Sequence, residues 1–96
     1  MNEYKLCKLH SLIIPSQNEK MTTWIFIHGL LSTGAYFVDL ALTDEISLNS
    51  EIHLIDLRNR GRSPKTETMF ANDIIMDIRH YIDDHQLKEV CILGAS

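Results

Sequence analysis

Three short apolar runs, each passing directly into a turn of small or charged residues, constrain this chain more than any other feature. Trp24-Ile25-Phe26-Ile27 leads into His28-Gly29-Leu30-Leu31 and then Ser32-Thr33-Gly34. Ile52-His53-Leu54-Ile55-Asp56-Leu57 leads into Arg58-Asn59-Arg60-Gly61-Arg62-Ser63-Pro64. Val90-Cys91-Ile92-Leu93 leads into Gly94-Ala95-Ser96. Runs without polar alternation suit strands covered on both faces, and strands of that kind alternate with helices in a parallel sheet. Between the second and third runs, Ala71, Ile74, Ile75, Ile78 and Ile82 follow i, i+3, i+4, i+7, i+11, one apolar stripe to lay on such a sheet. The expectation is therefore an α/β fold: a mostly parallel sheet with strands near 24–28, 52–57 and 89–93, flanking helices, and a helix over 70–86.

The rest of the chain fits around this frame. Tyr4 to Ile14 is strand-like, as one strand or a broken pair, and Pro15 to Thr23 is a polar connection. A shorter helix is expected over 35–41, with Phe37, Leu40 and Ala41 on one face. Residues 43–50 read as a loop or a frayed helix end. On the 70–86 helix, Asn72, Asp73, Asp77, Arg79, Asp83 and Asp84 lie off the stripe and read as a solvated face. There Arg79 and Asp83 can pair, while Asp73 and Asp77 repel at i, i+4.

Composition excludes several classes. The chain has 96 residues, 45% hydrophobic, enough for one packed domain over 1–96 but short of a large enzyme. Its net charge of −4 and the absence of aromatics among the three arginines of the 58–62 loop argue against nucleic acid, and give no electrostatic case for a membrane surface. No apolar run approaches transmembrane length. Met1 to Lys5 has neither a signal core nor the character of a transit peptide, so the expected compartment is the cytoplasm. Cys7 and Cys91 make no disulfide framework, and Cys91, within a core strand, reads as a small buried hydrophobe. Among five histidines, His80 and His85 are five apart and share no helix face, so neither a metal nor another cofactor is expected.

The turns carry the chemistry. A glycine just after a buried strand, as in His28-Gly29, lets backbone approach a ligand and leaves amide hydrogens free, although glycine also serves a plain strand-to-helix turn. Asp56 and Arg58 can pair across the end of their strand and hold the following loop, whose turns Gly61 and Pro64 fix. A strand running into Gly94-x-Ser96 has the form of the sharp turn that lifts a serine hydroxyl above a parallel sheet.

In this order, the His-Gly loop, the Asp56-x-Arg58-x-x-Gly61-x-Ser63 loop and the Gly94-x-Ser96 turn resemble the alpha/beta hydrolase family, over roughly Trp24 to Ser96. The Arg58-Asn59-x-Gly61-x-Ser63-Pro64 version looks most like the serine hydrolases grouped with alpha/beta hydrolase domain-containing protein 11 and bacterial esterases. Many other members carry Gly where this chain has Asn59, and Arg60 stands where that subgroup usually has His. The resemblance implies that the 24–28 strand lies between the other two. It implies that Ser96 is the nucleophile, that the Leu30 N–H supplies half of an oxyanion hole, and that His28 and Gly29 shape that loop. Asp56, Arg58, Gly61, Ser63 and Gly94 would be structural. The substrate would be a small molecule with an ester, thioester or related acyl bond, and the subgroup also admits a mitochondrial location.

In the family the triad acid and histidine follow the serine, so none of the five histidines matches the base, and Asp56 matches the structural loop instead. A serine hydroxyl without a base is a poor nucleophile. Residues 1–96 are thus expected to be a partial domain, inert by itself; the other reading is a short non-catalytic product, a binding fragment or decoy.

Overall fold

The computed structural model describes residues 4–29 and 31–95. Along the chain come β1 (Ser11–Ile14), β2 (Thr22–Ile27), a 3-10 turn (Gly34–Phe37) continuing into α1 (Val38–Ala41), α2 (Asp44–Ser47), β3 (Ser50–Ile55), α3 (Ala71–Asp84) and β4 (Cys91–Gly94). The strands form one sheet in the order β1-β3-β2-β4. β2 runs parallel to β3, with Trp24 opposite Ile52 and Phe26 opposite Leu54. It also runs parallel to β4, with Trp24 opposite Cys91 and Ile27 opposite Gly94. The central place expected for the 24–28 strand is therefore observed. Three parallel strands deliver their C-terminal ends, and the three small-residue turns that follow them, to one edge of the sheet.

The unbroken apolar runs are explained by cover on both faces. On one face Phe26, Ile52 and Leu54 pack with Phe37 and Ala41 from the 34–41 turn and helix. On the other, Ile25 and Ile55 pack with Leu57 and Tyr81, joined by Ile74, Ile78 and Ile82 of α3. The start of α3 is set by Asp73, whose carboxylate reaches back to accept the Phe70 N–H at 3.0 Å. Its end is a left-handed Gln86 (φ 55°), after which the Leu87 N–H closes on the Ile82 carbonyl at 3.0 Å.

Several sequence expectations need correction. Of the strand-like stretch 4–14, only Ser11–Ile14 joins the sheet, antiparallel to β3. Residues 4–10 form no strand, and Tyr4 and Cys7 bond instead to Asp77 of α3. Residues 43–50, expected as a loop or a frayed helix end, contain a separate one-turn helix, α2, and the first residue of β3. The buried face of α3 is rolled by about one residue from the apolar stripe. Asp73, Asp77 and Tyr81 lie on it beside Ile74, Ile78 and Ile82, whereas Ile75 is 62% exposed. The two aspartates are thus not part of a solvated face, because a buried arginine meets them there. Cys91 is exposed, since β4 has β2 on one side and no described strand on the other.

Candidate active site

His28 follows β2 and is almost fully buried. Its Nε2 accepts the Leu57 N–H at 3.0 Å, so the ring proton sits on Nδ1, which donates to the Gly29 carbonyl at 2.6 Å. The imidazole thereby ties the exit of β2 to the exit of β3. The next turn is closed by the Ser32 N–H on the Gly29 carbonyl at 3.1 Å. At its far end the Gly34 N–H donates to Asp56 Oδ1 at 2.8 Å. Glycine is required at 34 by space, because a Cβ there would stand 2.7 Å from the Ile55 carbonyl oxygen. Residues 28 and 34, the two ends of this loop, are both held by residues 56–57.

The loop after β3 is built around the same aspartate. Asp56 Oδ2 accepts the Arg62 N–H at 3.1 Å. Its backbone carbonyl accepts the Ser63 hydroxyl at 2.5 Å, and the Ser63 oxygen in turn accepts the His10 N–H at 2.9 Å. Gly61 lies in the left-handed region (φ 49°), where a Cβ would meet the Asp56 carboxyl carbon at 2.5 Å. Asn59 is also left-handed (φ 67°). Asn tolerates this backbone better than most residues, and its side chain also bonds to Thr66. The Arg60 Nε is buried and has no partner among the described residues.

The expected Asp56–Arg58 pair does not form. The Asp56 carboxylate is taken up by two loop amides, and Arg58, 1% exposed, faces α3. Its Nε and Nη2 donate to the two carboxylate oxygens of Asp77 at 2.6 and 2.9 Å. Nη2 also donates to the Lys5 carbonyl at 2.8 Å and Nη1 to the Thr68 carbonyl at 3.2 Å, while Asp73 lies 3.6 Å away. A buried guanidinium needs a planar, bidentate acceptor, and Asp77 supplies it. Hydrogen bonding to Asp77 strengthens the basicity of Arg58 further. Tyr4 completes the cluster, its hydroxyl donating to Asp77 at 2.6 Å; burial, and then that bond, push the phenol up to about 12. The Phe70 N–H is the main cause holding the Asp73 carboxyl below its ordinary range, and burial raises the Cys7 thiol.

Leu30 and Ser96, the residues expected to provide the oxyanion amide and the nucleophile, lie outside the described residues. Their neighbours lie at the same edge: the Ala95 N–H donates to the Ile27 carbonyl at 3.0 Å, beside His28 and Gly29. The space around Gly94 is open, with nothing within 4 Å of a Cβ built there. A cleft of about 340 Å³ adjoins the edge, lined among others by His10, Thr33, Asp56 and Arg62. Sequence reading missed Asp77 as the partner of Arg58. The signal available was two aspartates at i, i+4 flanked by apolar residues, a spacing costly to bury without a cation. It also missed a second polar cluster: His53 Nε2 donates to Glu51 at 2.8 Å, and the Tyr81 hydroxyl donates to His53 Nδ1 at 2.5 Å. That cluster stems from Glu51 and His53 of β3 and Tyr81 of α3, short of the C-terminal strand ends that carry the turns. Among the described residues, no group of three or more His, Cys, Asp or Glu could hold a metal ion, and no helix is long and apolar enough to cross a membrane.

No protein-family profile matches the chain. A probable alcohol acetyltransferase of Wickerhamomyces anomalus is 30% identical over 95 residues, which is 97% of this chain and 28% of that protein. An abhydrolase domain-containing protein of Schizosaccharomyces pombe is 29% identical over 72 residues, 75% of this chain and 27% of that protein. Among solved structures, a marine microorganism esterase superposes with a TM-score of 0.82 at 29% identity, over 94% of this chain and 33% of the esterase. The chain thus spans between a quarter and a third of the length of these relatives. Sheet order, the loops at the strand ends and these likenesses agree: the chain has the fold of an N-terminal portion of the alpha/beta hydrolases and is similar to members of that family.

Proposed function

We propose that the chain is the nucleophile-bearing part of a serine-dependent acyl hydrolase, and that residues 1–96 form one partial domain of it. Ser96 attacks the acyl carbon of a small ester or thioester. The negative charge that develops on the acyl oxygen is met by the Leu30 N–H and by a second amide, and the base and acid of the triad come from sequence beyond residue 96. The observation that carries this reading is the juxtaposition at the sheet edge, where the Ala95 amide bonds the residue that precedes His28. Adjacent parallel strands place a nucleophile turn and an oxyanion loop side by side in this way.

The acyl group then passes to water or, as the names of the acetyltransferase relatives suggest, to an alcohol. The 58–64 loop supports reading the chain as similar to the bacterial esterase and alpha/beta hydrolase domain-containing protein 11 subgroup. Residues 1–96 alone lack a base for the serine, whose loss costs on the order of 10⁴ to 10⁶ in rate.

The test compares p-nitrophenyl acetate hydrolysis by residues 1–96 with that of the gene's full product. The expected results are background rates for residues 1–96, and turnover by the full product that Ser96→Ala abolishes. An inert full product, or unchanged turnover after Ser96→Ala, would overturn the proposal.

A further inference from the structure

We propose that Asp56 is the positioning residue of the oxyanion loop, an inference that rests on the serine hydrolase reading above. An oxyanion donor is worth about 10² to 10³ in rate only while its N–H is aimed at the developing charge. The loop expected to carry that donor is anchored at two points. The first is the His28 imidazole on the Leu57 amide, the second is the Gly34 amide on Asp56 Oδ1. Asp56 is the anionic anchor, and a carboxylate bond to a backbone N–H is stronger than a neutral one.

The geometry separates this task from holding the fold. Backbone atoms and other side chains keep the 56–64 segment in place without the carboxylate: Ser63 hydroxyl on the Asp56 carbonyl, Asn59 N–H on the Pro64 carbonyl at 3.0 Å, and Asp56 N–H on the His10 carbonyl at 2.8 Å. The carboxylate itself is spent on two amides, those of Gly34 and Arg62. It therefore couples the loop after β2 to the loop after β3. Two glycines adjoin it, Gly34 through its amide and Gly61 through its missing side chain. Gly34 lies against the carbonyls of Leu54 and Ile55 with no room for a side chain, and Gly61 leaves the carboxyl group the volume it occupies. A side chain at position 61 would collide with the carboxyl group and displace it from the two amides.

Asp56→Asn keeps the shape but turns one acceptor into an NH₂ donor, so one of the two amides loses its partner. Two readouts are taken on the gene's full product: amide hydrogen exchange, and hydrolysis of p-nitrophenyl acetate as separate kcat and KM. Gly34 exchange is expected to quicken by about tenfold or more, in line with the loss of a charge-assisted bond. The kcat is expected to fall by about ten- to a hundredfold with KM changed by less than about threefold, the pattern of a misplaced transition-state contact. Asp77→Asn, which loosens the fold through Arg58 and leaves the Asp56 carboxylate untouched, should keep kcat at temperatures where it is folded. Wild-type kcat in Asp56→Asn would overturn the proposal. So would exchange that quickens across the whole sheet to the same degree as at Gly34, because the residue would then be merely structural. An inert wild-type product would overturn the serine hydrolase reading and the positioning role with it, while the Gly34 exchange rate would still decide whether the carboxylate holds the loop.

Discussion

Replacing Asp77 by Ala removes the acceptor shared by four donors: Arg58 Nε and Nη2, the Tyr4 hydroxyl and the Cys7 N–H. The guanidinium keeps the Lys5 and Thr68 carbonyls, and Asp73 stays 3.6 Å away. Its charge is still stranded in the interior with its bidentate partner gone. Breaking a buried pair from one side costs about 3–5 kcal/mol, and the surviving contacts argue for the lower part of that range, about 3 kcal/mol. A domain of this size has about 5–15 kcal/mol in all. The assay is urea unfolding followed by fluorescence of Trp24, the single tryptophan, which packs against the buried cluster on its face of the sheet. The background should be Ile92→Lys, which puts a charge on the exposed strand β4, where apolar edges invite association. With a slope of about 1–1.5 kcal/mol per molar, the midpoint should fall by about 2–3 M. The double variant Asp77→Ala/Arg58→Met removes the stranded charge along with its partner and should be more stable than Asp77→Ala alone. A midpoint shift below about 0.5 M, or a double variant less stable than the single one, would refute the reasoning.

Tyr4 is a neutral donor whose folded pKa is raised above its ordinary 10.0 to about 12. Its contribution is therefore complete below pH 10 and lost as pH climbs toward 12, so Tyr4→Phe should flatten the alkaline loss of stability over that window. Gly61→Ala should destabilise by at least about 1–2 kcal/mol from the left-handed backbone alone, read by the same urea midpoint; a neutral result would show that neither that backbone nor the close approach to Asp56 is strained. Arg60→His removes the buried Nε, which has no partner among the described residues, and should raise stability by about 1 kcal/mol in thermal melts; a fall would mean that Nε finds water.

The sheet was readable because a strand covered on both faces loses its polar alternation, and Trp24–Ile27 and Ile52–Leu57 show that loss plainly. The turn at Gly61 was readable too, since it stands in a loop dense with turn-forming residues, whereas the left-handed Asn59 was not. What escaped was pairing across distance. Arg58 and Asp77 are 19 residues apart, and nothing local tells a helix aspartate bound to a buried arginine from one facing water. The roll of α3 by one residue follows from that pair and was hidden for the same reason. Cys91 looked buried because its neighbours in sequence are apolar, but exposure at a sheet edge depends on which strand lies alongside. At the candidate site, His28, Gly29, Asp56, Gly61 and Ser63 were identified from the sequence as a set, yet the bond from Asp56 to Gly34 follows from the sheet order.

The cluster around Arg58 also says something about the order of assembly. Its contacts span 10 residues to Thr68, 19 to Asp77, 53 to Lys5, and 73 between Tyr4 and Asp77. Tyr4 and Lys5 are made before α3, but they find their places only after that helix has been synthesised and docked. During synthesis that leading segment has no lasting partner, and long-range closures of this kind slow folding. Shortening the chain before residue 8 would take nothing from the sheet, yet it would strip Asp77 of its Tyr4 and Cys7 donors and Arg58 of the Lys5 carbonyl. The leading segment is thus a late-closing clasp, and the helix it fastens is the one covering the face opposite Phe26 and Phe37.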